Sequence, residues 1–484
     1  MTSPSVKHWV SDAALGQEYA ADLGNTRRNQ RARRVGKALA AKPDLSIPRI
    51  FPDEAGLEAA YRLLSNPGVN WRALAAPHVA RTLGRAAAMG TEVVVAHDTT
   101  DVSLRMYWND ERRKHMSSFS SQTQGFFVHA SLAITADGRA LPLGVLNAQP
   151  FVHLSGLDAK DAESLAFWEN EGGVYDNEHE RWGNSVALTD DALRERGVSA
   201  IHVMDGDADS YGLLSWLKQS EFRFVVRADA QRKLQYKDGL QDVGTVSVQL
   251  GERFPLRTGK QSNRNPPRRA RKAELTVRTG TVTLQRADRG GKASWSPGGR
   301  AAQPKTLELH LVEAVELNPP TGEAGVRWLL LTTEPIGTQA EVLRVIELYR
   351  RRWMIEEYFK ALKTGCRLED RQMESMATML CILALLIPAA WRLLLLRAIA
   401  DEAPETKWKN LLTPLEFKLL SLRVKKAALG PDATVAQCIA AIAKMGGHLP
   451  RNGPPGWQTL HAGWRQLQDM VLGVRLLRGD SIND

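Results

Sequence analysis

Four polar side chains between residues 349 and 363 stand at helical spacing. Tyr349, Arg352, Glu356 and Lys363 follow one another at steps of three, four and seven residues. All four therefore fall within about 60° of arc on one helix face. The face offers a phenol, a guanidinium, a carboxylate and an ammonium, a set suited to a phosphate with a metal ion beside it. The alternative is a solvated face, because Arg352 and Glu356 also make an ordinary i,i+4 ion pair.

Two β-branched runs elsewhere in the chain each lead into an acidic residue. Residues 92–96 precede Asp98 by one position, and residues 200–204 run directly into Asp205. Each run is typical of a buried strand, and an amphipathic helical pattern follows Asp205. A strand that ends in an acid with a helix behind it is a common site geometry in α/β proteins.

The remaining hydrophobic patterns predict the elements that would position these acids. Strands are predicted at 125–134, 141–146 and 222–227, and helical patterns fill 158–197. The order is then three strands, a helix, a strand, a helix and a strand, which is the order of an RNase H-like α/β core that still lacks one helix. That helix follows only at about residue 339, after a β-strand insertion at about 230–335.

The N-terminal part of the chain reads as helical and carries a strongly basic stretch. Residues 25–37 hold six basic residues and no acidic one. Uncompensated positive charge makes such a helix self-repelling unless a polyanion binds it. We therefore predict that Arg27, Arg28 and Arg31 bind DNA, and a solvated charged helix is the alternative.

Length, charge and cysteine content restrict the classes of protein to which this chain can belong. The chain has 484 residues, with 64 Lys and Arg against 54 Asp and Glu, and the net charge of +10 favours a polyanionic partner. Three cysteines without a CxxC pair argue against a disulfide framework and for a reducing compartment such as the cytoplasm. The apolar run 376–391 is 16 residues long and contains Pro388, so it predicts a buried helix rather than a membrane span.

These patterns predict three domains. They are a helical N-terminal domain over residues 1–70, the α/β domain with its insertion over 71–370, and a helical C-terminal domain over 371–484. The last helix should begin near Trp457. Its apolar stripe from Trp464 to Val474 is a candidate dimer contact, although such a stripe is more often ordinary core.

The spacing Tyr349-x2-Arg352-x3-Glu356-x6-Lys363 resembles the YREK signature of the insertion-sequence-4 family of bacterial transposases. The runs His97-Asp98-Thr99-Thr100 and Asp205-Gly206-Asp207-Ala208-Asp209 resemble that family's first and second acid motifs. The resemblance implies that Asp98, Asp205 and Glu356 form a DDE triad on an RNase H-like core. It also implies Mg²⁺ as the cofactor, replaceable by Mn²⁺, with two ions per active site when DNA is bound.

The same resemblance implies DNA contacts and partners. Tyr349, Arg352 and Lys363 would hold phosphates, Arg227 would contact the transposon end, and Trp328 would stack on a base flipped out of the duplex. The implied activity is cut-and-paste transposition. Inverted-repeat ends are bound, cleaved through a hairpin intermediate, and joined by their 3′ ends to target DNA. Cutting two ends in concert requires two triads, so a homodimer is the expected assembly.

Other readings remain open from the sequence alone. A non-catalytic DNA-binding descendant of a transposase has no need for three metal-holding acids. A stand-alone RNase H-like nuclease needs neither flanking domain. Short inverted repeats beside the coding DNA would favour the transposase. His97 and His129 could ligate a metal, but buried, hydrogen-bonded histidines are the commoner case, and Trp328 could be a buried strand aromatic.

Overall fold

The structure is a computed structural model that describes residues 9, 12–105, 115–120, 123–153, 162–175, 178–251, 268–287, 295–402, 405–424, 429–449, 451 and 455–478. Its α-helices are α1 Asp12–Glu18, α2 Thr26–Ala41, α3 Ile47–Ile50, α4 Glu54–Leu64, α5 Trp71–Met89, α6 Ala162–Asn170, α7 Glu178–Arg194, α8 Tyr211–Gln219, α9 Gln339–Arg351, α10 Trp353–Lys360, α11 Met376–Glu402, α12 Pro414–Arg423, α13 Val435–Met445 and α14 Trp457–Leu477. Its strands are β1 Glu92–Arg105, β2 Ser117–Ser120, β3 Thr123–Thr135, β4 Pro142–His153, β5 Val174–Tyr175, β6 Ser199–Met204, β7 Arg223–Arg227, β8 Gln235–Tyr236, β9 Gln241–Leu250, β10 Arg271–Gln285, β11 Thr306–Glu316 and β12 Arg327–Thr332.

Two of the N-terminal helices begin at polar caps. Asn25 accepts a hydrogen bond from the Arg28 N–H at the start of α2, and Asp53 does the same for Gly56 at the start of α4. Gly36 in α2 lets the buried Tyr19 ring pack directly on the helix backbone. The helical N-terminal region is therefore packed through small residues and capped at its helix starts.

One twelve-stranded sheet forms the centre of the molecule. Its order is β5-β4-β3-β1-β6-β7-β12-β11-β10-β8, with β2 paired to β3 and β9 paired to β10. β1, β6 and β7 are parallel, and β3 and β4 continue the sheet in antiparallel fashion. The mixed sheet and its helices confirm the predicted RNase H-like α/β core.

The predicted insertion is present, but it is not a separate body. β12 pairs antiparallel with β7, and β11 and β10 follow, so the inserted strands extend the core sheet at its edge. The predicted last core helix then follows as α9 and α10.

The C-terminal region is helical, as predicted. A continuous cluster of buried apolar side chains runs from α1 through β1 and α11 to α14. Among the described helices, the stretch Met376–Asp401 is long and apolar enough to cross a membrane. However, 89% of its most apolar 18-residue segment is buried inside the protein. It is the buried helix that the sequence predicts.

The apolar stripe of α14 packs on its own chain. Trp464, Leu467 and Val471 are all buried, because α14 lies against α12 and α13. These three side chains are therefore not available to a second subunit. The exposed apolar side chains of this helix, Leu476 and Leu477, lie at its end, where Leu477 is 90% exposed.

Candidate active site

The register of two parallel strands sets two aspartates side by side. β1 and β6 pair in register up to Ala96 and Val203, and Asp98 and Asp205 each follow that pair by two residues. Neighbouring strands lie about 4.8 Å apart, so the two acids lie side by side. β6 ends at Met204, whereas β1 continues past Asp98 to Arg105, so Asp98 lies within its strand rather than at the strand end that the sequence predicted. Asp98 Oδ1 accepts the Thr99 N–H over 2.7 Å, and Asp205 Oδ1 accepts the Asp207 N–H over 2.9 Å.

A nearly continuous helix brings Glu356 to these two aspartates. A capping box at Thr338 and Glu341 begins α9, and Arg352 between α9 and α10 keeps helical backbone angles of φ −52° and ψ −36°. Ile346 and Ile355 are fully buried and fix the helix against the core. The predicted helical face from residue 349 to residue 356 is therefore present.

Arg352 joins two of the three carboxylates. Its guanidinium donates to Asp98 Oδ2 over 3.1 Å and, through the other terminal nitrogen, to Glu356 Oε1. The Arg352 side chain is only 7% exposed, so these contacts are made largely away from water. The chain thus gathers an acid from β1 and an acid from α10 around one cation, with Asp205 beside them.

The three acids affect one another electrostatically. Burial and the Asp205 charge raise the pKa of Asp98 far above its ordinary range, Arg352 acts in the opposite direction, and the Glu356 charge adds to the rise. Burial lowers the pKa of Arg352, but Tyr349, Glu356 and both aspartates outweigh it and raise that pKa. A cluster of this kind gains stability from added positive charge.

The donor set fits a hard divalent cation, although the acids are not arranged as a closed ligand cage. Among the described residues, no three His, Cys, Asp or Glu side chains are grouped closely enough to hold one ion. Arg352 instead stands between Asp98 and Glu356. Carboxylate oxygens are the ligands that Mg²⁺ prefers, and burial together with the Asp205 and Glu356 charges raises the pKa of Asp98.

Tyr349 and Trp328 lie against each other beside this cluster. Their rings are 5.5 Å apart and cross at 66°, and the Arg352 guanidinium lies 5.9 Å from the Tyr349 ring. Tyr349 is buried, whereas Trp328 on β12 is only half-buried and keeps part of its indole accessible. Trp328 also packs against the hydrophobic core, as the alternative of a buried strand aromatic requires, and its stacking on a base stays a prediction.

Arg227 ends β7 next to the second acid motif. A Cβ atom at Gly206 would lie 3.7 Å from the Arg227 Nη2, so the guanidinium passes close to the residue that follows Asp205. The trailing acid of that motif, Asp209, is instead held inside the protein. It accepts hydrogen bonds from Arg232 Nε over 2.9 Å and from the Asp229 N–H over 2.8 Å. Asp209 therefore fixes the loop after β7.

Lys363 is paired with two acids outside the triad. The helix widens to a π-turn at Ala361–Gly365, and the Lys363 ammonium contacts Asp101 over 2.9 Å and Glu369 over 3.5 Å. The sequence predicts a regular α-helical face that includes Lys363, whereas the helix is π-helical from Ala361 to Gly365, so that regular spacing ends before Lys363. The phosphate contact of Lys363 stays a prediction. Asp101 and Glu369 were missed because no periodic pattern links them to the helix.

The strand histidines are buried and hydrogen-bonded, as expected. His97 Nε2 lies 2.9 Å from His202 Nδ1, and His97 Nδ1 lies 3.0 Å from Ser131 Oγ. His129 Nδ1 lies 2.9 Å from Thr99 Oγ1. Burial lowers the pKa of His97 and of His129, so both rings are neutral.

The predicted DNA-binding arginines of α2 divide into two groups. Arg27 and Arg31 are exposed, and so is Arg34 on the same helix. Arg28 is half-buried, and its Nη1 donates to the carbonyls of Leu23 and Gly68 over 3.1 Å and 3.2 Å. Arg28 thus ties α2 to the loop after α4, a structural role that the basic sequence pattern alone does not reveal.

Comparison with known families gives two matches. The model of a transposase DNA-binding family matches residues 12–69, which cover α1 to α4. The model of the transposase DDE domain matches residues 183–391, which contain Asp205, Arg352 and Glu356 and begin after Asp98. A DNA-binding segment thus precedes a DDE segment that contains Asp205 and Glu356, and β1 adds Asp98 from outside that segment. The chain is a DDE transposase.

Proposed function

We propose that this chain is a cut-and-paste DNA transposase of the insertion-sequence-4 family, similar within it to the transposon-5 transposase. Residues 1–70 bind inverted-repeat ends, residues 71–370 cleave them, and residues 371–484 support a homodimer. The ends are cut through a hairpin intermediate and joined to target DNA in the cytoplasm. The observation that carries this function is the register that sets Asp98 beside Asp205, with Arg352 joining Asp98 to Glu356.

In this function Asp98, Asp205 and Glu356 hold the divalent ions, two Mg²⁺ or Mn²⁺ per site when DNA is bound. The bound ions would activate the attacking oxygen and neutralise charge at the phosphorus. Tyr349, Arg352 and Lys363 would bind phosphate oxygens next to the scissile bond. Asp98 and Glu356, which Arg352 holds in the free protein, would then be the carboxylates available to the ions.

The DNA contacts outside the triad follow from exposure and charge. Arg27 and Arg31 on the exposed face of α2 bind the backbone of the transposon end. Arg227 contacts the end near the second acid motif, and the half-buried Trp328 stacks on a flipped base. Arg28 contributes by holding α2 in place, and any phosphate contact it makes must come from donors not used by Leu23 and Gly68.

Cleavage of the DNA that flanks the coding sequence tests this function. The wild-type chain with Mg²⁺ should cut that DNA at short inverted repeats. Asp98→Asn, Asp205→Asn and Glu356→Gln should each lower cleavage by about 10³-fold or more, since loss of metal-ion stabilisation costs several kcal/mol. Binding of the same DNA should persist in all three variants.

Glu347→Gln is the matched control for Glu356→Gln. Glu347 lies on α9, is exposed, and pairs with Arg350 over 2.7 Å, so its loss should leave cleavage unchanged. Retained cleavage in any one of the three acid variants would contradict the assignment of the triad. Binding without cleavage by the wild-type chain would instead favour a non-catalytic DNA-binding protein.

Assembly into a homodimer can be tested by mixing two inactive chains. One chain carries Glu356→Gln, and the other carries Arg27→Ala, Arg31→Ala and Arg34→Ala. Substitution is preferable to deletion of residues 1–70, because Tyr19 and Leu39 belong to the continuous core cluster. Recovery of cleavage would support binding of an end by one subunit and its cleavage by the other. Inactivity of a demonstrated mixed dimer would argue against it.

A further inference from the structure

Lys363 is fully engaged by acidic side chains of its own protein. Its ammonium lies 2.9 Å from Asp101 Oδ1 and 3.5 Å from Glu369 Oε1. The Lys363 side chain is 21% exposed, so part of it remains accessible to solvent. A phosphate that approaches Lys363 therefore meets two carboxylates that already satisfy the cation.

The two carboxylates are held with unequal strength. Glu369 Oε1 also accepts the backbone N–H of Ser103 over 3.1 Å, which fixes it to the far part of β1. The Asp101 carboxylate is held by Lys363, by Ser103 Oγ over 2.8 Å and by the backbone N–H of Asp101 itself, so all of its contacts to other residues are with side chains. Asp101 is 51% exposed against 32% for Glu369. Asp101 is thus the partner that a solvent-borne anion can replace.

The chain between Lys363 and Glu369 is shaped to hold this arrangement. The π-turn at Ala361–Gly365 is followed by Arg367 with φ 50° and ψ 45°, a left-handed conformation that a residue with a side chain rarely adopts. Cys366 and Leu368 on either side of it are fully buried and hold the backbone there. This path places Lys363 at the Asp101 carboxylate and Glu369 at the Ser103 N–H, both on β1.

The charge of Asp101 determines how this arrangement acts on an approaching phosphate. Burial raises the pKa of Asp101, but the Lys363 charge and hydrogen bond outweigh it and lower that pKa, so the carboxylate is charged at neutral pH. A charged Asp101 repels any phosphate backbone until the phosphate takes its place on Lys363. Asp101 therefore sets a threshold that weak, non-specific DNA contacts have to exceed.

We propose that Asp101 is a specificity-determining residue whose carboxylate holds Lys363 in the free protein and is exchanged for a DNA phosphate in the productive complex. Glu369 stays in contact with Ser103 and positions Lys363 for this exchange. The exchange rests on the transposase function proposed above, because it requires DNA to reach the face that carries Lys363.

The test is binding of a labelled duplex of random sequence to the full-length chain, measured by fluorescence anisotropy in EDTA at several salt concentrations. Asp101→Asn should bind this duplex about two- to fivefold more tightly than the wild type, the range expected for freeing one exposed cation. The slope of log affinity against log salt concentration should become steeper by up to about 0.9, the value for one additional phosphate contact. Asp370→Asn is the matched control, since it removes the same charge from an exposed partner of Arg367 in the same segment.

A double-mutant cycle separates this role from a general charge effect. In a Lys363→Ala background the Asp101→Asn substitution should no longer tighten binding. A gain that persists in that background, a gain of equal size in Asp370→Asn, or no gain at all would overturn the role of Asp101 while DNA binding itself stands. A wild-type chain that binds no duplex would overturn the proposed function and this exchange together.

Discussion

Arg352 shows how one side chain sets the charge balance of the site. It is nearly buried and bonded to both Asp98 and Glu356, so it neutralises acids that would otherwise repel one another. Breaking a buried charge pair by removing one partner is strongly destabilising, by about 3–5 kcal/mol. The acids of the site therefore depend on this guanidinium in the free protein.

Arg352→Gln should lower the melting temperature of the free chain and increase its stabilisation by added Mg²⁺ or Ca²⁺. The reason is that Asp98, Asp205 and Glu356 then repel one another without a counter-charge, and a divalent ion supplies it. Thermal unfolding with and without the ions measures both effects. Arg350→Gln, which removes an exposed pair with Glu347, should change neither quantity. Ion-induced stabilisation no larger than in the wild type would contradict a divalent site at these carboxylates.

Single residues differ in how far the sequence could predict them. Asp98 and Asp205 could be placed because each follows a β-branched run, and the parallel register then sets them side by side. The burial of Asp209 could not be predicted, because Arg232, which donates to it, lies in the loop after β7. Arg28 looked like its exposed neighbours in sequence, and only its contact with Gly68 shows otherwise.

At the scale of elements, two helical glycines have opposite roles. A Cβ atom at Gly36 in α2 would lie 2.8 Å from Tyr19 Cε1 and closer still to two further ring carbons. A Cβ atom at Gly84 in α5 would have no non-local neighbour within 4 Å. The first glycine is required by packing, and the second only weakens its helix.

Gly84→Ala should stabilise the chain by about 0.5–1 kcal/mol, the ordinary gain of alanine over glycine inside a helix. Gly36→Ala should instead destabilise it by about 1–3 kcal/mol, since overpacking moves Tyr19 or α2. Denaturant unfolding of the two variants beside the wild type measures both. Equal gains in the two variants would show that α2 does not pack on Tyr19 as described.

Elements with a regular period were predictable, and those set by long-range pairing were not. The strands at 92–100, 125–134 and 200–204 and the helix from residue 339 follow from apolar periodicity. The pairing of β12 with β7, which adds the insertion to the core sheet, has no local signal. The π-turn that contains Lys363 likewise has no local signal in the sequence.

At the scale of the whole molecule, a buried ionic network joins the N-terminal region to the core. Glu18 in α1 is fully buried and contacts His78 over 2.6 Å and Arg81 over 2.8 Å, both on α5, together with Arg85. The Val145 N–H on β4 donates to His78 Nε2, so His78 is neutral and donates from Nδ1 to Glu18. Burial lowers the pKa of His78, in agreement with a neutral ring.

The stability contributed by Glu18 should be lost in acid. Burial alone raises the pKa of Glu18, but the contacts with His78 and Arg85 outweigh it and lower the pKa from 4.5 to about 2. The unfolded chain then binds a proton at higher pH than the folded chain, so this contribution is complete above pH 4.5 and falls as pH drops towards 2.

Glu18→Gln should destabilise the chain by about 3–5 kcal/mol at neutral pH, and the difference from the wild type should shrink below pH 4.5. Denaturant unfolding of both chains across that pH range measures the difference. Glu58→Gln removes an exposed partner of Arg62 and should cost less than about 0.5 kcal/mol at any pH. A constant difference between wild type and Glu18→Gln would show that Glu18 titrates normally.

The segment that follows α2 contacts the distant helix α14, and this contact matters for synthesis at the ribosome. Arg465 and Asp469 of α14 pair with Asp44 and Lys42 after α2, each over 2.7 Å, and Arg371 donates to the carbonyls of Pro43 and Leu45. The basic helix α2 leaves the ribosome hundreds of residues before these partners, so a nascent chain exposes it without its support. The ion pairs that join the segment after α2 to α14 can therefore form only after α14 has left the ribosome.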